Sequence, residues 1–548
     1  MLCLSSGYRT GQAKILLEVG LVRQVQVSRQ LCESLNTNLK TKVSWRYWQA
    51  RFPAMFFTIL VGLAVFVLAV LYLQLKRNRD HIENLGFPVD QPNFVLGSSP
   101  LRLHKYVLHE VQMEKMRRFG KTYVRFEMAQ PVLVTIDPDL IKAITITHFE
   151  NFSDIIDFKI NPKVSTLDFT GGEMWHVLRK NMSPTFTSGK LRGLLEPMSD
   201  IANDMITFLD ERTEESPEID VKKMFQNLTL ETISQCAFGI KSNAFYDQHS
   251  DLLKHGQDAF SGFVMHNALE TFIFSGLLHF PALFHYVEFF PAAYYKLYDV
   301  TESIMKARME QGIKKADFIA RMQELIDEVL ENPDSKAAKL LTKEHITAQG
   351  AIFFLAGFET TASTLATLCY NLANHPEIQD RLRAEINTVI DEHDGRIDYD
   401  SVHHMKYLEA CINENLRLIP PVYFHLRQCT KDTEIKPGLI IKKGVRVDFP
   451  IYTSHHNPEF FPDPEKFNPD RFLPENEKYI QPLTFRPFGG GPRLCIGQRF
   501  ALIEMKIALA KLLSHYQVSP SAKTKLEFEK GNTFMLSYPE LKLNLTRL

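Results

Sequence analysis

The run Phe488-Gly489-Gly490-Gly491-Pro492-Arg493-Leu494-Cys495-Ile496-Gly497 places one cysteine in a glycine-rich loop that leads straight into an amphipathic segment, Gln498 to Leu513. Glycines reach backbone angles closed to other residues and leave no side chains between the chain and a large planar ligand. A thiol beside the start of a helix gains from free amide groups and from the helix dipole, which favour its anionic, metal-binding form. Cys495 therefore reads as a thiolate metal ligand, and Arg493, two residues upstream, as a bidentate donor to a cofactor carboxylate. The competing account of Cys495 is a buried free thiol in a turn, the commoner fate of an isolated cysteine.

With Phe488, the three glycines, Arg493 and Gly497 all in place, the run resembles the haem-binding loop of the cytochrome P-450 family. The resemblance implies that Cys495 is the axial ligand of a haem b, that Phe488 and Arg493 bind the cofactor, and that thiolate ligation favours O–O cleavage. It also implies a fold that is mainly α with small β-sheets.

Working outward, Thr347 to Tyr370 reads as one long apolar helix interrupted by Ala356-Gly357-Phe358-Glu359-Thr360-Thr361. An acid and a hydroxyl inside such a helix need partners. Thr360 can bond back to a backbone carbonyl and bend the helix locally, and Gly357 removes a side chain where a ligand approaches. The stretch resembles the family's central helix, which assigns Glu359 and Thr360 to proton delivery during oxygen activation and sets Ala356 and Gly357 against the haem. Glu414 and Arg417 share a helix face. With Arg471 in Pro469-Asp470-Arg471-Phe472 they resemble the family's structural glutamate-arginine-arginine network. Trp175 and Arg179, one turn apart before Met182-Ser183-Pro184-Thr185-Phe186, resemble its haem-propionate donors. One position departs from the pattern: where many relatives have an arginine for a propionate, Tyr423, Phe424, His425 and Arg427 align without a unique choice.

Composition sets the outer limits. Lys+Arg 63 against Asp+Glu 64 gives a net charge of −1 and no field that argues for nucleic acid. The seven cysteines, at positions 3, 32, 236, 369, 411, 429 and 495, show no paired spacing, so disulfides are not implied. Phe52 to Leu75 carries no charge over 24 positions, longer than the roughly 20 apolar residues that cross a bilayer. Basic residues flank both ends and leave its orientation open. The expected organisation is an N-terminal tail (1–51), a membrane anchor (52–75), a Pro-bearing hinge (76–100) around Gly86-Phe87-Pro88, and one large domain (101–548). Tyr123 to Thr135 alternates like strand, broken by Gln130-Pro131. Helical patterns cover 223–239, 365–392 and 403–419. Phe260 to Tyr295, crowded with aromatics that include Phe272 and Phe274, suggests an apolar route from the membrane to the pocket.

Family resemblance makes the chain a haem-thiolate monooxygenase, nearest the microsomal steroid- and drug-hydroxylating type, acting on an apolar substrate. No flavin or nicotinamide pattern follows Cys495, so electrons come from a separate NADPH-dependent flavoprotein reductase, with cytochrome b5 as an optional second donor. The basic residues Arg493, Arg499 and Lys506 are candidates for its docking surface. The location implied is the endoplasmic reticulum membrane with a cytosolic catalytic domain; the acid-poor first 50 residues leave a mitochondrial address as the lesser alternative. A peroxide isomerase or dehydratase, or a non-catalytic haem protein, would also keep Cys495 but has no need of Glu359 and Thr360.

Overall fold

The computed structural model describes residues 42–83, 85–92, 97–98, 103–155, 161–247, 250–271, 273, 290–313, 315 and 317–548. Phe272, Phe274, Phe280, Phe284 and Phe289 of the aromatic-rich stretch lie outside the described residues, as do positions 1–41. The chain divides into two units, Met1–Leu73 and Gln74–Leu548.

Helix α1 (Lys42–Glu83) contains the expected anchor, and Met55–Arg79 is long and apolar enough to span a membrane. Phe57 and Phe66 stand 67% and 65% exposed, a cost that hydrocarbon removes and water does not. Residues 76–83 continue the helix, with no proline or glycine among them, and Gly86 in the following turn takes a φ of 72° that suits glycine.

In the larger unit, helix dominates and three small sheets flank it. The first sheet has the order β1-β2-β7-β4, built from β1 (Thr122–Glu127), β2 (Gln130–Thr135), β4 (Phe424–Gln428) and β7 (Arg446–Pro450). The hairpin turn falls at Met128-Ala129, ahead of the expected break at Gln130-Pro131. Pro131 is tolerated inside β2 because β7 pairs with that strand only from Val132 onward. The second sheet, β3-β9-β8, joins β3 (Glu218–Asp220), β8 (Tyr516–Pro520) and β9 (Lys542–Arg547), and β5 (Thr433–Lys436) pairs with β6 (Leu439–Ile441).

The site is framed by helices α2 (Gly172–Met182), α3 (Val221–Phe238), α4 (Asp251–Ser261), α5 (Ala292–Gln311), α6 (Lys343–Ala373), α7 (Lys406–Leu418) and α8 (Gln498–His515). A capping box between Thr342 and His345 starts α6. Its Ala, Leu, Ile and Phe positions are buried round the helix except Phe353 and Ala356, which line the cavity, as suits a helix at the centre of a domain. The pattern read as one helix over 365–392 is two. Pro376 lacks an N–H and disfavours helix at His375, so α6 ends at Ala373 and a second helix, Pro376–Glu392, begins. Segment 403–419 likewise splits at Met405 into Tyr399–His404 and α7. Helix α8 is not amphipathic: Ile503 to Ala510 is buried without a break, because the helix lies between two hydrophobic clusters.

Glu414 and Arg417 are fully buried and joined by two hydrogen bonds of 2.8 Å, Arg417 Nε and Nη2 donating to the two carboxylate oxygens. Arg471 Nε approaches Glu414 Oε1 at 3.4 Å, and the Asn468 N–H donates to the same oxygen at 2.9 Å. The remaining Arg417 donors go to the carbonyls of His455, Pro464 and Lys466. This node fixes the segment that leads to the Cys495 loop, because His455 Nε2 in turn accepts from the Arg486 N–H at 3.0 Å.

Candidate functional site

One cavity of about 570 Å³ is lined by Cys495, Phe488 and Arg493 from the glycine-rich loop, Trp175 and Arg179 from α2, and Ala356, Gly357 and Thr360 from α6. The structure thus brings together every site residue expected from the sequence except Glu359. Phenylalanines supply much of the remaining wall, among them Phe186, Phe260, Phe263 and Phe534.

The loop is held by its own backbone. The Gly489 N–H donates to the Arg486 carbonyl, Leu494 N–H to Gly491, and Cys495 N–H to Phe488, all at 2.9–3.0 Å. Glycine is required at two of these positions. Gly491 has φ 66°, and a Cβ there would lie 2.2 Å from the Thr145 carbonyl oxygen; Gly489 has φ 83°, with the ring of His425 2.9 Å from where its Cβ would be. Amide groups of Gly497 and Gln498 favour the Cys495 thiolate, as the helix-start argument anticipates, while desolvation by the surrounding protein pushes the thiol up to about 11, although Cys495 itself stands exposed on the cavity wall. A metal cation bound there would favour the thiolate further, since a coordinating thiol is deprotonated outright.

Arginine surrounds the same space. Arg427 and Arg486 are buried, and Arg493 is half-buried over the face of Trp175, 4.5 Å from the ring centre. Burial brings Arg427 down to about 10 and Arg486 and Arg493 to about 9, and Arg427 repels both of the others. Arg427 Nε, Arg486 Nε and Nη2, and Arg493 Nε lack hydrogen-bond partners. Buried, mutually repelling guanidinium groups with orphaned donors call for an anion with more than one carboxylate. The two propionates of a haem meet that need, and a single thiol beside a glycine-cleared surface meets the need of its iron. The residues fit the group: Cys495 would ligate the metal, while Arg179, Arg427, Arg493 and Trp175 would hold the propionate edge.

Of residues 423–427, all of which line the cavity, Arg427 brings a buried guanidinium with an unpartnered Nε to its wall. His425 lines the cavity as a neutral ring packed on Gly489, brought down to about 3 by burial and by Arg427 and Arg486. Arg486 was not legible from the sequence; its only signal is a place just ahead of Phe488 in Arg486-Pro487-Phe488. Arg427→Leu should leave the apoprotein folded and release haem about 10- to 100-fold faster, from the loss of a charge-assisted contact. Transfer of haem to excess apomyoglobin measures this, and an unchanged rate would remove Arg427 from the cofactor site.

On α6, Thr360 Oγ1 donates to the Ala356 carbonyl at 2.7 Å, making the expected notch. Glu359 points elsewhere, because successive helix residues are about 100° apart. It is 3% exposed, 3.0 Å from Lys222 Nζ, and accepts from Gln226 Nε2 at 2.7 Å and from Ser363 Oγ at 3.1 Å. Gln257 of α4 then donates to Gln226 Oε1 at 2.9 Å. The acid is therefore tied to α3 and stands behind the cavity wall rather than in it. Two of the basic residues offered for docking are also placed elsewhere: Arg493 faces the cavity, and Lys506 is buried against Glu409 and the Val402 carbonyl. Arg499 remains exposed.

Comparison with known proteins agrees with this geometry. The family model described as cytochrome P450 matches residues 88–546. "Cytochrome P450 9e2" of Blattella germanica is 31% identical over 497 residues, covering 84% of this chain and 92% of its own. "Probable cytochrome P450 6a18" of Drosophila melanogaster is 32% identical, covering 87% and 96%. Human "Cytochrome P450 3A7" is 32% identical, covering 84% and 90%. Matched across nearly all of its larger unit, around a cavity whose charges suit an anionic disc bound through one thiolate, this chain belongs to the cytochrome P450 family and is a haem-thiolate monooxygenase.

Proposed function

We propose that the protein inserts one oxygen atom from dioxygen into an apolar organic substrate held against Thr360, with Glu359 as the proton reservoir for that hydroxyl. The observation that carries this is the placement of Thr360 and Cys495 on the walls of one cavity, with a hydrogen-bonded acid immediately behind Thr360. When bound, haem supplies the redox chemistry that activates dioxygen. The chain's own residues do the rest. Phenylalanines bind the substrate and exclude water, Thr360 presents a hydroxyl within the cavity, and Glu359 holds its carboxylate behind it between Lys222 and Gln226.

Electrons come from an NADPH-dependent flavoprotein reductase, with cytochrome b5 as a second donor, and α1 anchors the protein in the endoplasmic reticulum membrane with the catalytic unit on the cytosolic side. Exposed Arg499 suits an acidic partner. Thr360→Ala should keep haem content and NADPH consumption while product per NADPH falls by about tenfold or more and hydrogen peroxide rises, because a positioned proton donor is lost. Unaltered coupling with a reductase would sink the Thr360 assignment, and turnover of peroxides without any reductase would favour the isomerase reading instead.

A further inference from the structure

Three acids line the cavity, and two of them are neutralised. Glu127 and Asp448 are each held by both Arg125 and Arg446 at 2.5–3.1 Å. The third, Asp168, has no hydrogen bond and no ion pair within 4.0 Å among the described residues, and it stands exposed on the cavity wall. Its nearest charges, Arg493 and Arg179, lower its proton affinity less than burial raises it. The Arg493 terminal nitrogens donate to the carbonyls of Leu167 at 3.3 Å and Thr170 at 2.5 Å, and none of its hydrogen bonds goes to Asp168.

The backbone does not let Asp168 escape. It sits in a turn closed by Phe169 N–H and Thr170 N–H donating to the Thr166 carbonyl at 3.0 and 2.9 Å. Gln349 of α6 accepts from the Leu167 N–H at 2.8 Å and donates to the Ser165 carbonyl at 3.2 Å. The flanking residues Thr166, Leu167 and Thr170 are buried, while the carboxylate opens into the cavity. A carboxylate that faces a largely apolar cavity loses its water when an apolar ligand fills that space, unless the ligand itself supplies a donor. Haem cannot, because its propionates are anions.

We propose that Asp168 is a specificity-determining anchor for a cationic nitrogen, so that the preferred substrates are apolar molecules carrying one positive charge. This rests on the haem-thiolate reading of the same cavity. The test uses the full-length holoprotein and two probes, phenylbutyl trimethylammonium and the neutral molecule in which carbon replaces its nitrogen. The quaternary nitrogen has no lone pair and cannot ligate iron. Binding is read from the Soret spin-state shift, with displacement of a fluorescent ligand as a second readout.

In the wild type the cation should bind at least about tenfold tighter than its isostere. Asp168→Asn should erase that preference while leaving isostere affinity within about twofold, and Asp168→Glu should retain most of it. Equal affinities in the wild type, or a preference that survives Asp168→Asn, would overturn the proposal; the wild-type comparison decides even if a variant does not fold. The carbon monoxide spectrum of the same wild-type sample separates this from the underlying reading. A thiolate-type Soret band with no charge preference rejects the anchor alone, whereas a sample without that band rejects the haem-thiolate assignment and the anchor that rests on it.

Discussion

Replacing Cys495 with serine should leave a folded chain whose reduced carbon monoxide complex lacks the red-shifted Soret band of thiolate-bound haem, and whose turnover falls by at least about three orders of magnitude. The loop is kept by backbone bonds from Gly489, Leu494 and Cys495, which the exchange of one sulfur for oxygen does not touch. What disappears is the soft, electron-donating ligand. A second cysteine, Cys236 of α3, also lines the cavity, buried and with its thiol pushed far up by desolvation. Cys236→Ser is therefore the matched control and should keep both the band and the activity. If the band followed Cys236 instead, the loop would have been misassigned.

The second large effect concerns the buried pair behind that loop. Arg417→Ala leaves Glu414 without its main counter-ion at 0% exposure and strips donors from the carbonyls of His455, Pro464 and Lys466. Breaking one side of such a pair costs about 3–5 kcal/mol. That is a large part of the roughly 5–15 kcal/mol by which a domain is stable. The expected result is little soluble holoprotein, with a low haem-to-protein ratio in what is recovered. Arg417→Lys should fare poorly too, because an ammonium cannot reproduce the two-point contact with Glu414 or reach all three carbonyls. A wild-type yield and melting temperature for Arg417→Ala would show that the pair is dispensable. Since His455 links this node to Arg486 of the haem loop, partial unfolding there should appear first as lost haem.

Local chemistry made much of this legible before any coordinates. The glycines around Cys495, the back-bonding hydroxyl of Thr360 and the shared face of Glu414 and Arg417 each follow from short-range rules, and each is found in place. What escaped depends on contacts between distant segments. Nothing near Arg486 marks it as buried beside the cavity, and nothing near Asp168 marks it as part of the cavity wall, because both are set by elements far away in sequence. Glu359 was expected at the reaction centre, yet its direction is fixed by Lys222 and Gln226, more than a hundred positions earlier. The ionisation of Cys495 was a contest of magnitudes, amide donation against desolvation, and spacing alone cannot weigh the two. The broken helix at Pro376 was different in kind, since the proline was visible and its local veto was overlooked.

Strand β3, only three residues long, sits directly before α3 and finds its partner in β9, with Glu218 opposite Asn544 and the Val221 N–H donating to the Leu541 carbonyl at 2.9 Å. A pairing across more than three hundred positions cannot be made while a ribosome is still upstream of it. The start of α3, which carries Lys222 and so the setting of Glu359, thus stays unfinished until β9 has been made. The anchor helix is made long before. A nascent chain would pass the whole interval between anchor and β9 tethered at one end with its catalytic half incomplete, and haem would be captured only by a polypeptide that has closed on itself through that pairing.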